Sequence, residues 1–393
     1  MGKTKLFFSV LAVTLSSFIS LNSLFGTTWY YISVFLSLSV IFCVFQSGIK
    51  FFGIYKWVNL AVLAYGVSIC YSTYKVQSWT PPVVLIDDMQ SPYVAPMYFL
   101  QLLSLVLLIE YCNVSKQIQS FIGLLFKFLT ILIVLSDIFL FTNIFQQDTY
   151  LLGNKFTCTY LHVVWLFIYI YKTKNNSQYS KLGIFFGWVY CFIMTVLYDC
   201  STTLASLIIV AIIYYTKNKF YKLLYKPYFI VSIIILLDLL FFFYYDDVLK
   251  SSFARFIIVD LLHRDLTLST RTYIWEQAFI PLSLRPIWGV GCFNTSPIVP
   301  SLIGYPNLQN GLLNCVLEIG IVGSVVYLIV LLTFAKANKN IHINNQGNVF
   351  VLMCYAFIFA STVEVTLDNT FLCFASLMLC RVFKSKIILR KSI

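Results

Sequence analysis

The 393-residue chain is 60% hydrophobic and 18% aromatic, and only 11% of its residues are charged. Soluble domains carry about 25% charged residues, so a globule of this size would have too little polar surface, and a soluble enzyme or binding module is excluded. At about 20 apolar residues per bilayer crossing, the apolar content supplies about twelve crossings. The apolar runs are continuous rather than alternating, which excludes a β-barrel. The net charge of +12 reports membrane topology rather than a nucleic-acid surface, and no nucleic-acid partner is expected.

Lys3 and Lys5 precede an apolar run to Phe25. No small-x-small cleavage site follows and another run begins at once, so a first transmembrane helix is expected rather than a leader. Spans are expected at 6–25, 28–47, 57–73, 94–112, 121–142, 156–171, 182–198, 202–216, 228–245, 313–334, 348–367 and 369–383. The expected fold is an all-α polytopic transmembrane bundle of about 12 spans with one large, partly helical extracytoplasmic loop. It divides into helices one to nine (1–245), the loop that carries the site (246–312), and helices ten to twelve with a cytoplasmic tail (313–393). With the N-terminus inside, nineteen Lys and Arg residues fall on the cytoplasmic side and seven outside. That asymmetry predicts both termini in the cytoplasm of a multi-pass protein of the inner, cytoplasmic membrane.

Asp137, Asp238, Glu318 and Glu364 lie within spans. Ionisable groups in lipid are costly and face a cavity or a partner. Two expectations stand side by side: a polar cavity opening outward, or interhelical hydrogen bonding alone. His162 is expected to bond between helices. The eleven cysteines lie mostly in apolar runs and read as small packed hydrophobes. No Cys/His cluster has metal-ligand spacing, and neither metal nor cofactor is expected. Asp87-Asp88 reads as a solvated loop pair.

The loop contains an amphipathic stretch, Ser252 to Leu262, suited to a helix on the membrane surface. Next comes Ser269-Thr270-Arg271-Thr272-Tyr273-Ile274-Trp275-Glu276-Gln277-Ala278-Phe279. The spacing puts Arg271, Trp275 and Phe279 on one helical face, with Ser269 or Thr270 as cap. Arg285, the turn Gly289-Val290-Gly291, and Tyr305-Pro306-Asn307-Leu308-Gln309-Asn310 follow. The chain then enters Glu318-Ile319-Gly320-Ile321-Val322-Gly323, whose small residues permit close packing.

In this order, Arg271 and Trp275, the glycine turn, the Gln309-Asn310 pair and the Glu-x-Gly-x-x-Gly run resemble the Wzy-type polysaccharide polymerase and O-antigen ligase superfamily. The resemblance is specific over 264–332. Gly153-Asn154-Lys155-Phe156 and Ser201-Thr202-Thr203 are weaker echoes. The family often has Arg where this chain has Thr203, and its ligases commonly have His where it has Gln309. The resemblance implies a metal-independent glycosyltransferase that polymerises undecaprenyl-pyrophosphate-linked oligosaccharide repeat units into capsule, exopolysaccharide or O antigen. The ligase reading stands second, and a lipid-linked oligosaccharide flippase or transporter is the alternative from another class. Its partners would be the lipid-linked oligosaccharides, membrane lipids, and the flippase and chain-length regulator of the same pathway. Arg271 and Arg285 are then expected at the pyrophosphate, since guanidinium forks match phosphate oxygens, with Arg264 and Lys155 nearby. Gln309 and Asn310 would orient sugar hydroxyls, and Trp275 would contact substrate. Glu318, Glu276 and His263 are the candidates for taking the acceptor proton. The plainer alternatives are that both arginines hold lipid headgroups and that Trp275 is an interfacial anchor.

Overall fold

A computed structural model describes residues 1–380 except positions 20, 50, 52 and 225 and the stretches 80–91, 143–149, 174–178, 217–220, 253–270 and 340–348. Asp87, Asp88, His263, Arg264, Ser269, Thr270, His342 and almost all of the amphipathic stretch 252–262 lie outside the described residues. The described chain is all-helical, at 81% helix without strands. Helices follow from the long apolar runs, because a backbone in hydrocarbon must satisfy its N–H and C=O groups within one segment.

The chain begins with α1 (Lys3–Val13). The next helices are α2 (Thr28–Gln46), α3 (Lys56–Val76), α4 (Val94–Val114) and α5 (Ile118–Thr142). They are followed by α6 (Lys155–Thr173), α7 (Tyr179–Leu197), α8 (Ser201–Thr216) and α9 (Pro227–Lys250). Short helices α10 (Arg271–Gln277), α11 (Phe279–Leu284) and α12 (Thr295–Ile303) precede α13 (Gly311–Lys339), α14 (Val349–Ser361) and α15 (Asn369–Ser376). Among the described residues, four helices, α2, α4, α5 and α13, are long and apolar enough to cross a membrane.

Burial sorts these helices into layers. All but one residue of α14 is buried, as are residues 101–113 of α4. Helices apolar all round belong inside a bundle. By contrast, α2 turns Tyr31, Phe35 and Phe42 outward, α5 turns Ile131 and Phe141 outward, and α7 turns Phe185 and Val196 outward. Such continuous apolar exposure suits lipid rather than water. The structure is that of a multi-pass membrane protein.

Two buried carboxyls pair between helices. Asp137 on α5 accepts from Tyr190, from Tyr198 at 2.9 Å, and lies 3.2 Å from His162 Nε2. His162 Nδ1 donates to the Cys158 carbonyl at 2.8 Å, since a carbonyl can only accept. Asp238 on α9 accepts from Ser361 at 3.2 Å. All eleven cysteines are free thiols and none is exposed.

The first expected span, 6–25, is interrupted. Helix α1 passes into a π-helical turn, Thr14–Phe18, and the chain is extended at Ile19. Thr14 spends its hydroxyl on the Val10 carbonyl at 2.7 Å, and Ser17 on the Gln101 carbonyl at 3.2 Å. Hydroxyls that compete for backbone partners weaken a helix at such a point.

A second interruption lies in α13. Gly320 has φ 69° and ψ 179°, so the helix is two halves. The N–H groups of Val290 and Gly291 donate to the carbonyls of Leu317 and Glu318, both at 2.8 Å. The N–H groups of Ile321 and Val322 donate to the carbonyls of Pro286 and Ile287 at 2.9 and 3.2 Å. The 286–291 turn thus supplies the partners the break removes.

Candidate functional site

A cavity of about 640 Å³ lies where the two interruptions converge. Its walls come from Ser16–Ile19 at the break in α1, Trp29 and Tyr30 of α2, and Met97, Tyr98 and Gln101 of α4. Asn154, Phe156, Thr157 and Tyr160 come from the start of α6, and Asn314 and Glu318 from the first half of α13. The segment after α14 adds Glu364, Val365, Thr366 and Asp368, while Phe293, Thr295, Pro306 and Asn307 come from the stretch before α13. The volume falls in the range of small-molecule sites, and so does the mixture of aromatic wall and sparse polar groups.

Glu318 faces this cavity. Its Oε1 accepts from Thr295 at 3.3 Å and from Asn314 at 3.4 Å. Its backbone carbonyl is held by Gly291 and by Ser72 at 3.2 Å. The turn that the glycines permit therefore fixes the carboxylate. A Cβ on Gly289 would lie 2.4 Å from the Glu318 carbonyl oxygen, and one on Gly320 would lie 2.2 Å from the Ile287 oxygen.

Arg271 opens α10 and reaches the segment after α14. Its Nε donates to the Val363 carbonyl at 3.0 Å and its Nη2 to Glu364 Oε1 at 2.9 Å. Glu364 lines the cavity, so Arg271 stands directly behind one of its acids. Lys155, at the start of α6, acts on the same carboxyl through its charge, and Asn154 caps that helix through the Thr157 N–H at 2.9 Å. Asp368 also lines the cavity and caps α15 by accepting from Phe371 at 2.8 Å. Burial pushes the Asp368 carboxyl up to about 6.

Arg271 and Lys155 are themselves not among the described lining residues and reach the cavity only through Glu364; the other expected site residues are placed differently again. Arg285 stacks its guanidinium over Trp79 at 5.6 Å and has a buried Nη1 without a partner. It is not among the described residues lining the cavity. Partial burial lowers its pKa, against an opposing effect from Tyr71. Trp275 is a core residue, with its indole donating to the Leu308 carbonyl at 2.9 Å. It packs with Ile274, Val290, Ile298, Leu308 and Leu317 rather than anchoring at a surface. Arg271, Trp275 and Phe279 do not share one face in space: α10 ends at Gln277, and Phe279 points outward, 60% exposed. Glu276 is exposed.

Gln309 takes a left-handed φ of 48°, and its Oε1 is buried without a partner. Asn310 is fully buried and works as a helix cap, accepting from Leu313 at 3.0 Å and donating to the Thr362 carbonyl at 3.4 Å. Neither is among the described lining residues; their neighbour Asn307 is. Thr203 is buried and shares a 3.0 Å hydrogen bond with Thr159. Among the described residues no three His, Cys, Asp or Glu side chains converge as metal ligands.

Sequence reasoning passed over Glu364 as the partner of Arg271, and Asp368, Asn307 and Asn314 as cavity groups. Glu364 was marked by its charge inside an apolar run. The others carry no local signal, because they meet only through the fold.

The family model described as O-antigen ligase matches residues 186–328. That stretch runs from α7 into the second half of α13 and contains Arg271, Arg285, Gln309 and Glu318; Lys155 and Glu364 lie outside it. No curated protein and no solved structure matches the chain. Residues 186–328 are therefore similar to the O-antigen ligase family, consistent with the superfamily of Wzy-type polymerases and O-antigen ligases that the sequence resembles.

Proposed function

We propose that the chain is a glycosyltransferase that joins undecaprenyl-pyrophosphate-linked oligosaccharide repeat units on the outer face of the cell membrane. One observation carries the reading. The stretch that matches the family model contains Glu318, which faces a polar, aromatic-walled cavity, and Arg271, whose partner Glu364 faces the same cavity. In the proposed reaction an acceptor hydroxyl forms a bond to the anomeric carbon while the bond from that carbon to the pyrophosphate oxygen breaks. The proton passes to Glu318, and undecaprenyl pyrophosphate leaves. Pyrophosphate is a good leaving group, so positive charge from Arg271 and Lys155 matters more than an acid. Arg264 and Arg285 remain proposed phosphate contacts, and Gln309 and Asn310 proposed positioning residues, the latter acting through the cap it provides.

The description of the matching family favours a ligase, which would move a finished glycan to another acceptor. Gln309 in place of the ligases' His favours the polymerase. The transporter reading gains little from the break in α13. Transporters leave half-helix ends to their substrates, whereas here the 286–291 turn occupies them.

The test uses purified protein and lipid-linked repeat units extracted from a host strain that lacks the gene. Longer lipid-linked chains are expected from the wild type and not from Glu318→Ala. Transfer only to a non-lipid-linked acceptor would establish the ligase. Translocation of intact repeat units without bond formation would establish the transporter.

A further inference from the structure

Phe293 has φ +61°, a backbone region that bulky L residues rarely occupy. Residues held there by their surroundings cluster at ligand sites. Its neighbours explain the geometry. The left-handed turn aims the Phe293 N–H at the Glu318 carboxyl and carries the ring across to Tyr98. The two rings are stacked, with centroids 4.9 Å apart and planes 9° from parallel. Both residues line the cavity, and Phe293 is 37% exposed, although nothing about a packed core calls for an open aromatic there. Next to them Asn314 is 4% exposed and lines the cavity, yet its Oδ1 has no partner, while its Nδ2 donates to Glu318. Buried polar atoms without partners are rare enough to need a reason.

An aromatic platform with an amide and a carboxylate at its edge fits a pyranose ring. The C–H face of the sugar lies on the aromatic face, and the hydroxyls project to the rim, where they meet acceptors and donors. An isoprenoid tail would use the aromatic wall but not Asn314 and Glu318; a pyrophosphate would use neither. We infer that Tyr98 and Phe293 form the platform for one pyranose ring of the glycan, with Asn314 and Glu318 reading its hydroxyls. This rests on the glycosyl-transfer reading and assigns the sugar subsite within it.

The strain at Phe293 makes the inference testable apart from folding. Glycine accepts a positive φ without steric cost, so Phe293→Gly relieves strain while it removes the ring. Two probes are used: the oligosaccharide released by mild acid from extracted lipid-linked repeat units, and farnesyl pyrophosphate. Binding to purified protein is measured by calorimetry, alongside thermal stability. Phe293→Gly and Tyr98→Leu are expected to bind the released oligosaccharide at least about tenfold more weakly, a loss of about 1.4 kcal/mol. Farnesyl pyrophosphate binding is expected to stay within twofold, and Phe293→Gly to melt no lower than wild type. Phe293→Tyr is expected to keep the affinity. Unchanged oligosaccharide binding in both variants, or equal weakening of both probes, would overturn the subsite. If the wild type binds the oligosaccharide through this platform yet elongates nothing, the subsite stands and the polymerase reading falls.

Discussion

Arg271 holds the Val363 carbonyl and the Glu364 carboxylate with two different nitrogens of one planar group, an arrangement that the point charge of lysine does not reproduce. Loss of one charge-stabilising contact typically costs about 3 kcal/mol, or roughly two orders of magnitude in rate. Arg271→Ala is therefore expected to abolish long polysaccharide while single repeat units accumulate on lipid, and Arg271→Lys to restore part of the length. Removing Arg271 also deprives Glu364 of its ion-pair partner and leaves it only the charge of Lys155, so the single variant mixes two effects. The double variant Arg271→Ala/Glu364→Gln separates them. A pyrophosphate contact predicts that the double variant stays inactive, whereas recovery of polymer length on gels would show that Arg271 serves only to neutralise Glu364. Gln309 poses a related question. Its left-handed backbone costs about 1 kcal/mol, and its buried Oε1 lacks a donor. A carboxamide has no useful basicity, so the expected role is positioning. Gln309→Glu puts a charge where a donor is already missing, and it should lower the rate of chain growth more than Gln309→Asn, which tolerates this backbone well. A faster Gln309→Glu or Gln309→His enzyme would show that a proton acceptor is wanted there. An unchanged rate in Gln309→Ala would remove the residue from the site.

Helices and their breaks differ in how far the sequence reveals them. The expected stretches 28–47, 57–73, 94–112 and 121–142 lie on α2 to α5 with ends within a few residues, because apolar runs of this length have one way to satisfy their backbone in lipid. The breaks were hidden. Thr14, Ser16 and Ser17 sit in an apolar run that continues past them, and the Gln101 carbonyl that accepts from Ser17 at the interruption lies on α4, far along the chain. Gly320 lies in a run that reads as small residues for close helix packing. Its conformation depends on the 286–291 turn, which lies some thirty residues upstream and bonds both halves of α13. The two glycines are thus one device. Gly320→Ala and Gly289→Ala each combine a positive φ with a Cβ less than 3 Å from backbone atoms, and each should cost at least about 2 kcal/mol. Melting of detergent-purified protein, read by size-exclusion fluorescence, checks this. Gly26→Ala has the same sign of φ but open space around the Cβ, and it should cost less. Equal melting points for Gly320→Ala and Gly26→Ala would show that the close approach in α13 carries no weight.

The cavity belongs to the whole molecule, because its walls come from α1, α2, α4, α6, α13 and the segment around α15. No window of sequence holds it, which is why Glu318 and Lys155 stood out as charges while Tyr98, Asn314 and Asp368 did not. Its side of the membrane is a global property as well, set by all the connecting segments together. Nineteen Lys and Arg against seven predict both termini in the cytoplasm and the stretch 246–312 outside, and the proposed donor, carried on undecaprenyl pyrophosphate on the outer face, needs the cavity to open there. Ser301 on α12 is exposed and bonds only back to the Ile298 carbonyl, so a cysteine there is accessible and does little harm. Gln119, at the start of α5, is exposed and falls on the opposite side in the same topology. In a chain that also lacks Cys292, Ser301→Cys should react with a membrane-impermeant thiol reagent in intact cells, and Gln119→Cys only after permeabilisation. The native thiols give little background, since none is exposed. The reverse pattern would turn the molecule over in the membrane. It would put Glu318 and Arg271 on the cytoplasmic side, and the proposed joining of lipid-linked units on the outer face would fall.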